Sequence, residues 1–172
     1  MVRTSNARLA CQSMLVGRSW GITGVHVDRE GKRDPWLMPT AQVTEFIGRY
    51  HAGQRRVQLE RDAVPKFDQP FAMAGIRPAN GVAMVDSVAS ESGGKASVTL
   101  INRSFDRPFS VRLRFSRAVR SVQASALECE LESRWGGSAK ERSLRAFDIK
   151  DRTCSLVLPA RSLVGVRARL AP

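Results

Sequence analysis

The side chains able to do covalent or metal chemistry are few and far apart. Two histidines, His26 and His51, and three cysteines, Cys11, Cys129 and Cys154, are the whole stock in 172 residues. A tetrahedral zinc site draws Cys and His at short spacings so that four ligands can converge on one ion. No such spacing occurs, and three scattered thiols make no disulfide framework, so no metal and no cofactor is expected. A nucleophilic pair such as Cys129 with His51 has nothing local to activate the thiol, and buried, inert thiols are the expectation.

Charge is the next candidate. Lys and Arg total 28 against 16 acidic residues, a net +12. A clustered cationic face releases counterions from phosphates, but these cations are scattered. Only Lys32, Lys66, Lys95, Lys140 and Lys150 are lysines, and no basic run exceeds Arg55-Arg56. The aromatic residues do not interleave with arginine as a base-stacking platform would. Nucleic-acid binding is therefore the weakest of three functional readings, behind the two given below. No apolar run approaches the roughly 20 residues of a membrane helix, so no membrane partner is expected. The first residues, MVRTSNARLACQSMLVG, begin cationic and turn apolar, yet Gln12 and Ser13 interrupt the apolar stretch and no small-residue cleavage pattern follows. With free thiols and no secretory leader, the expectation is a cytoplasmic chain whose Leu9 to Val16 stretch starts a buried strand.

The elements that must position any site are mostly strands. MLVGRSWGITGVHV (residues 14–27) is apolar and β-branched, as a buried strand or two would be, and Asp28 to Pro35 is dense in turn formers. In PTAQVTEFIGRYHAG the apolar residues Val43, Phe46, Ile47 and Tyr50 follow i, i+3, i+4, i+7, with Pro39 at the start and Gly53 just past the end. That is one amphipathic helix. Beyond Gln54 the period is two. Val57 and Leu59, then Ala83 to Val85 beyond the turn signal Pro78-Ala79-Asn80-Gly81, read as strands. Ser90 to Lys95 reads as a separator. SVTLINRSFDRPFSVRLRF (97–115) reads as a β-hairpin, with Val98, Leu100 and Asn102 on one face and Phe109, Val111, Leu113 and Phe115 on one face of its return. Val119 to Val122, Leu127 to Leu131, Thr153 to Leu158 and Leu163 to Leu170 are further strands. The stretch around Trp135-Gly136-Gly137-Ser138 reads as a long loop. Strands without intervening helices predict a mainly β protein, an antiparallel β-sandwich.

Three phrases in this order carry a resemblance. DREGKRDPWLMPTAQVTEFIGRYHAG, then VTLINRSFDRP with Asn102, Arg103 and Ser104, then Leu158-Pro159-Ala160-Arg161-Ser162 before a last apolar strand, resemble the carboxy-terminal region of α-L-arabinofuranosidase-like glycoside hydrolases. The resemblance runs from about residue 14 to the end. It implies a short βα remnant of a (β/α)8 barrel over residues 1–53 and a jelly-roll-like β-sandwich domain over 54–172. Asn102 and its neighbours are then structural, bonding the turn's own backbone.

The resemblance also implies an activity, release of α-L-arabinofuranosyl residues from polysaccharide without a metal. A retaining glycosidase needs two carboxyl groups about 5–5.5 Å apart, and the family's acid/base glutamate follows an Asn. No Asn-Glu pair occurs here. Glu45 falls on the helix and Glu60 on a strand, each a solvated charge, so no catalytic residue is assigned and the chain alone is expected to be inactive. The leading expectation is an accessory sandwich of a truncated or split chain, with a separate or missing catalytic barrel as partner. A sheet edge and the helix's apolar stripe would then lie bare and could self-associate. The second reading is a self-standing carbohydrate-binding module, whose sugar-stacking rings would be Trp20, Trp36 and Trp135.

Overall fold

The computed structural model describes residues 15–18, 23–72, 77–128, 139–145 and 148–172. Three short strands come first, β1 (Val16–Gly17), β2 (Val25–His26) and β3 (Trp36–Leu37), followed by the helix α1 (Pro39–His51). Then come β4 (Arg55–Val57), β5 (Lys66–Gln69), β6 (Ala79–Ala83), β7 (Val85–Ser92) and β8 (Lys95–Asn102). The chain continues through β9 (Phe109–Arg114), β10 (Val119–Glu128), β11 (Lys140–Leu144), β12 (Asp148–Lys150), β13 (Thr153–Leu158) and β14 (Ser162–Leu170).

Two antiparallel sheets face each other. The larger has six strands in the order β11-β10-β14-β8-β7-β4, the smaller three in the order β12-β13-β9. Alternation explains the pairing of faces. Val98, Leu100, Val164, Val166, Ala124 and Ala126 project inward from the large sheet and meet Cys154, Leu156 and Leu158 of the small one in a single core. Leu158, Val164 and Val166 are wholly shielded from solvent, and each such side chain contributes about 1.5–3 kcal/mol through burial. The protein is thus mainly β and a sandwich, as the alternation predicts.

The helix forms where the period predicts it. Pro39 occupies its first turn, where a missing N–H costs nothing, and Gly53 just beyond it takes φ +70. Its apolar stripe is not bare. Phe46 and Tyr50 are buried against Leu127 and Leu163 on the outer face of the large sheet, with Ile47 beside them, and only Val43 stays open. This is why β14 is buried on both faces over Ser162 to Val166 and alternates only from Arg167 onward.

Several sequence expectations are corrected. Residues 97–115 are not a hairpin: β8 lies between β14 and β7, whereas β9 pairs with β13 in the other sheet. The turn between them is an arch joining the two sheets, and the two oily faces oppose one another across the core. Period two identifies an inward face, not the strand that hydrogen-bonds to it. Ala79 to Gly81 is not a turn but the start of β6, where Gly81 at φ +65 accompanies a register shift against β5 and donates its N–H to Asp68 Oδ1 at 2.7 Å. The separator Ser90 to Lys95 shrinks to Gly93-Gly94, both at positive φ, joining β7 to β8 in a tight hairpin with Ser92 opposite Lys95. Val119 to Val122 and Leu127 belong to one long strand, β10. Leu59 lies beyond β4, as does Glu60, which sits in an exposed connection. Leu15 and Val16 are 61% and 59% exposed, so the chain is not buried there. Cys11, Trp20, Cys129 and Trp135 with the loop around it lie outside the described residues.

Candidate functional site

Three constellations of polar side chains stand out, and the first is the arch. Asn102 is buried at the end of β8 and donates Nδ2–H to the carbonyls of Arg107 and Pro159, each at 2.8 Å. Its Oδ1 accepts the N–H of Ser104 at 2.9 Å. Ser104 Oγ in turn donates to Asp106 Oδ1 and accepts the N–H of Arg107, both at 3.0 Å. One amide therefore ties the arch to the Leu158-Pro159 corner, the structural role expected for it. Arg103 reaches the other way. It donates to the carbonyl of Ala83 at 2.8 Å and to Asp86 Oδ2 at 2.9 Å, while Arg61 holds Asp86 Oδ1 at 3.0 Å. Asp86 is 5% exposed, and two guanidinium groups compensate its burial.

The second constellation is the seam between α1 and the large sheet. Ser125 Oγ donates its one hydrogen to Glu141 Oε1 at 2.7 Å, so Tyr50 Oη is the donor in its 2.9 Å contact with Ser125. Arg49 grips both oxygens of Glu141, the shorter contact being 2.5 Å. That bond holds the Glu141 carboxyl below its ordinary range and raises Arg49 above its own. Ser90 Oγ likewise gives its hydrogen to Gln54 Oε1 at 2.9 Å. His51 Nδ1–H must therefore donate to Ser90 Oγ at 2.7 Å, and Nε2 must accept from Thr99 Oγ1 at 3.0 Å. Burial pushes the His51 imidazole down from its ordinary value. His51 thus clasps the helix to β7 and β8 as a neutral ring.

The third is the three-stranded sheet at the start. β1 runs parallel to β2 and β3 antiparallel to it, which places Val16, Val25 and Leu37 in one row and Gly17, His26 and Trp36 in the next. The His26 and Trp36 rings lie 4.6 Å apart. Val16 and Leu37 remain open, Leu37 at 45%. β1 and β3 are the two edges of this sheet.

Among the described residues, the structure does not gather the reactive and acidic groups singled out above into one place. Glu45 is exposed and pairs with Arg49 at 3.7 Å on its own helix. Cys154 is fully buried, and burial, with the Asp148 charge secondary, raises its thiol. Among the described residues no group of three His, Cys, Asp or Glu could hold a metal, and no helix is long and apolar enough to cross a membrane.

Comparison of the fold decides what it is shared with. The chain superposes on the arabinofuranosidase from Xanthomonas axonopodis pv. citri, assigned to glycoside hydrolase family 51, with a TM-score of 0.64 and 14% identity. The match covers 86% of this chain and 29% of that one. It shares its fold with part of an arabinofuranosidase. The α-L-arabinofuranosidase from Thermotoga maritima gives the same TM-score, 0.64, at 14% identity over 87% of this chain and 32% of its own. The catalytic domain of xylanase C from Talaromyces cellulolyticus, of glycoside hydrolase family 30, follows at 0.55 and 14% identity, over 87% and 28%. This chain therefore spans about 30% of the enzymes whose fold it shares. No protein-family model and no curated protein matches the sequence. The arabinofuranosidase-like sandwich expected from the Asn102 and Leu158-Pro159 phrases is present at the level of fold, and those phrases are the residues that lock the arch.

What the sequence does not disclose is the seam. Ser90, Thr99, Ser125 and Glu141 are unremarkable in their own segments. The only available signal is polar residues at outward positions of strands otherwise too apolar to face water.

Proposed function

We propose that this chain is the sandwich part of an arabinofuranosidase-like glycoside hydrolase, serving the breakdown of arabinose-containing polysaccharide as an accessory unit without turnover of its own. The observation that carries it is the fold match over 86–87% of this chain and only 29–32% of the arabinofuranosidases. The catalytic carboxylates then belong to a (β/α)8 barrel supplied by the remainder of the enzyme or by a separate chain.

The disposition of the acids supports this. A glycosidase pair must stand free to reach one sugar bond, whereas Asp86, Glu91, Glu128 and Glu141 are each held by an arginine. The parallel β1 and β2 followed by α1 support assigning residues 1–53 to a barrel remnant and 54–172 to the sandwich, since antiparallel sandwiches have no use for a parallel pair. The β1 edge, where Val16 stays open, is where the rest of such a barrel would continue.

A test uses an electrophilic, arabinofuranosyl-configured inhibitor of retaining glycosidases, which esterifies their nucleophilic carboxylate. Intact-mass measurement should find this chain unmodified. A single stoichiometric adduct on a Glu or Asp would overturn the proposal.

A further inference from the structure

The outer face of the large sheet continues past the end of α1 as two rows of side chains, of which only Ser90 and Ser97 are buried. Strand pairing fixes their membership. The outermost row is Ser92, Lys95, Arg169 and Ser121, and the next is Arg56, Ser90, Ser97, Arg167 and Gln123. Four of these nine are cations and none is an acid. Lys95, Arg169, Arg56 and Arg167 are all exposed, as are Ser92, Ser121 and Gln123.

Lys95 and Arg169 are direct cross-strand partners. Like charges placed opposite one another destabilise a sheet, and here no described carboxylate relieves the repulsion. Neither side chain has an ion pair or hydrogen bond with any described residue, nor does that of Arg56. Arg167 stands two residues from Arg169 on the same face, roughly 7 Å away along the strand. Its guanidinium donates to the carbonyl of Arg49 and lies 4.8 Å over the Tyr50 ring. Other arginines of the protein, Arg49, Arg61, Arg103 and Arg142, are matched to carboxylates. These four cations instead share one sheet face, in rows without a carboxylate among the described residues, beside hydroxyls and an amide.

We propose that this face binds an acidic glycan, a chain whose uronate carboxylates seat between Lys95, Arg169 and Arg167 and whose hydroxyls bond Ser92, Ser121 and Gln123. Cations about one strand spacing apart, roughly 5 Å, suit a carboxylate shared between them. The small polar groups between them suit sugar hydroxyls. Base stacking has no open platform among the described residues, because the Tyr50 face is taken by Arg167 and the half-buried His51 ring has both nitrogens bonded to Ser90 and Thr99. The choice of a glycan among polyanions rests on the hydrolase reading above, while the anion site rests on the sheet alone.

The test is binding of polygalacturonate to the whole chain at low and at high salt. The double variant Lys95→Gln/Arg169→Gln is compared with Arg112→Gln/Arg114→Gln, which removes the same charge from exposed positions of β9 on the opposite sheet. The wild type and the β9 variant should bind, with affinity falling as salt rises, and the Lys95/Arg169 variant should bind about tenfold or more weakly. Thermal melts check folding, and the Lys95/Arg169 variant should melt no lower than wild type because a repulsion is gone. Equal loss in both variants, no binding at low salt, or equal binding of neutral debranched arabinan would overturn the proposal. Tighter binding of oligodeoxythymidylate would also overturn it and make nucleic acid the occupant. A failure here leaves the accessory role standing, since that role is read from inhibitor labelling and turnover rather than from glycan binding.

Discussion

Gly165 on β14 lies directly beneath the Tyr50 ring of α1: a Cβ built at residue 165 would stand 2.3 Å from both Cε2 and Cζ. No side chain fits in that space. The ring cannot retreat easily, because Tyr50 Oη is bonded to Ser125 and Arg167 covers the ring. Gly165→Ala should therefore destabilise the protein by about 1–3 kcal/mol or more, read as a lower urea midpoint. Tyr50→Leu in the Gly165→Ala background should recover part of the loss, and strictly additive losses would mean that the two residues do not clash.

Asn102→Ala should destabilise the fold by about 2–4 kcal/mol, because it takes the partner from the Arg107 carbonyl and the Ser104 N–H and leaves the Pro159 carbonyl with the Ser162 hydroxyl alone. Asn102→Asp should be nearly as severe, since Oδ1 survives but the donors are lost. Chemical denaturation measures both. An Asp variant as stable as wild type would show that Nδ2 does not hold the Leu158-Pro159 corner.

The His51 clasp should make stability depend on pH with a definite sign. Burial lowers the folded-state value below the ordinary 6.5, so the unfolded chain binds the proton more readily. Stability is fully present above about pH 6.5 and declines as pH falls below it toward the folded-state value. Protonation of Nε2 would also turn it from acceptor to donor against Thr99, which is 5% exposed. The row that holds its partner Ser90 also carries the cations Arg56 and Arg167, while burial is the cause of the shift. Urea midpoints between pH 7.5 and 5.5 should fall for wild type and change less for His51→Gln. Parallel profiles would remove His51 from the cause.

Cys154 should resist iodoacetamide in the native protein and react once denaturant is added, because it is shielded in the core and its thiol is raised by burial. Peptide mapping of the alkylated site reads this directly. Rapid native labelling at Cys154 would mean that β13 separates readily from β9.

Part of this architecture is legible in the order of residues alone. The α1 stripe is, because Val43, Phe46, Ile47 and Tyr50 recur at helical spacing between Pro39 and Gly53, and a local period needs no knowledge of the partner. The inward faces of β8, β9, β13 and β14 are legible for the same reason. Pairing is not. Whether Phe109 to Arg114 returns beside β8 or crosses to the other sheet depends on which neighbour completes the hydrogen bonds, and either choice leaves the same alternation. Gly81 misleads because a glycine at positive φ serves a turn and a bulge equally well. The basic face is hidden for a related reason: Lys95 and Arg169 are remote in sequence, and only the register of β8 against β14 makes them neighbours. Counting arginines along the chain suggests scatter where the sheet produces a row.

The most direct measurement of the accessory role is turnover of a chromogenic α-L-arabinofuranoside by the purified chain, with folding verified by circular dichroism in the same preparation. A folded protein that releases no chromophore above the buffer rate is the predicted result. Turnover at enzymic rates that follows the protein through repurification and is abolished by Glu45→Gln or Glu60→Gln would contradict it, and would place catalytic chemistry on carboxylates that face solvent.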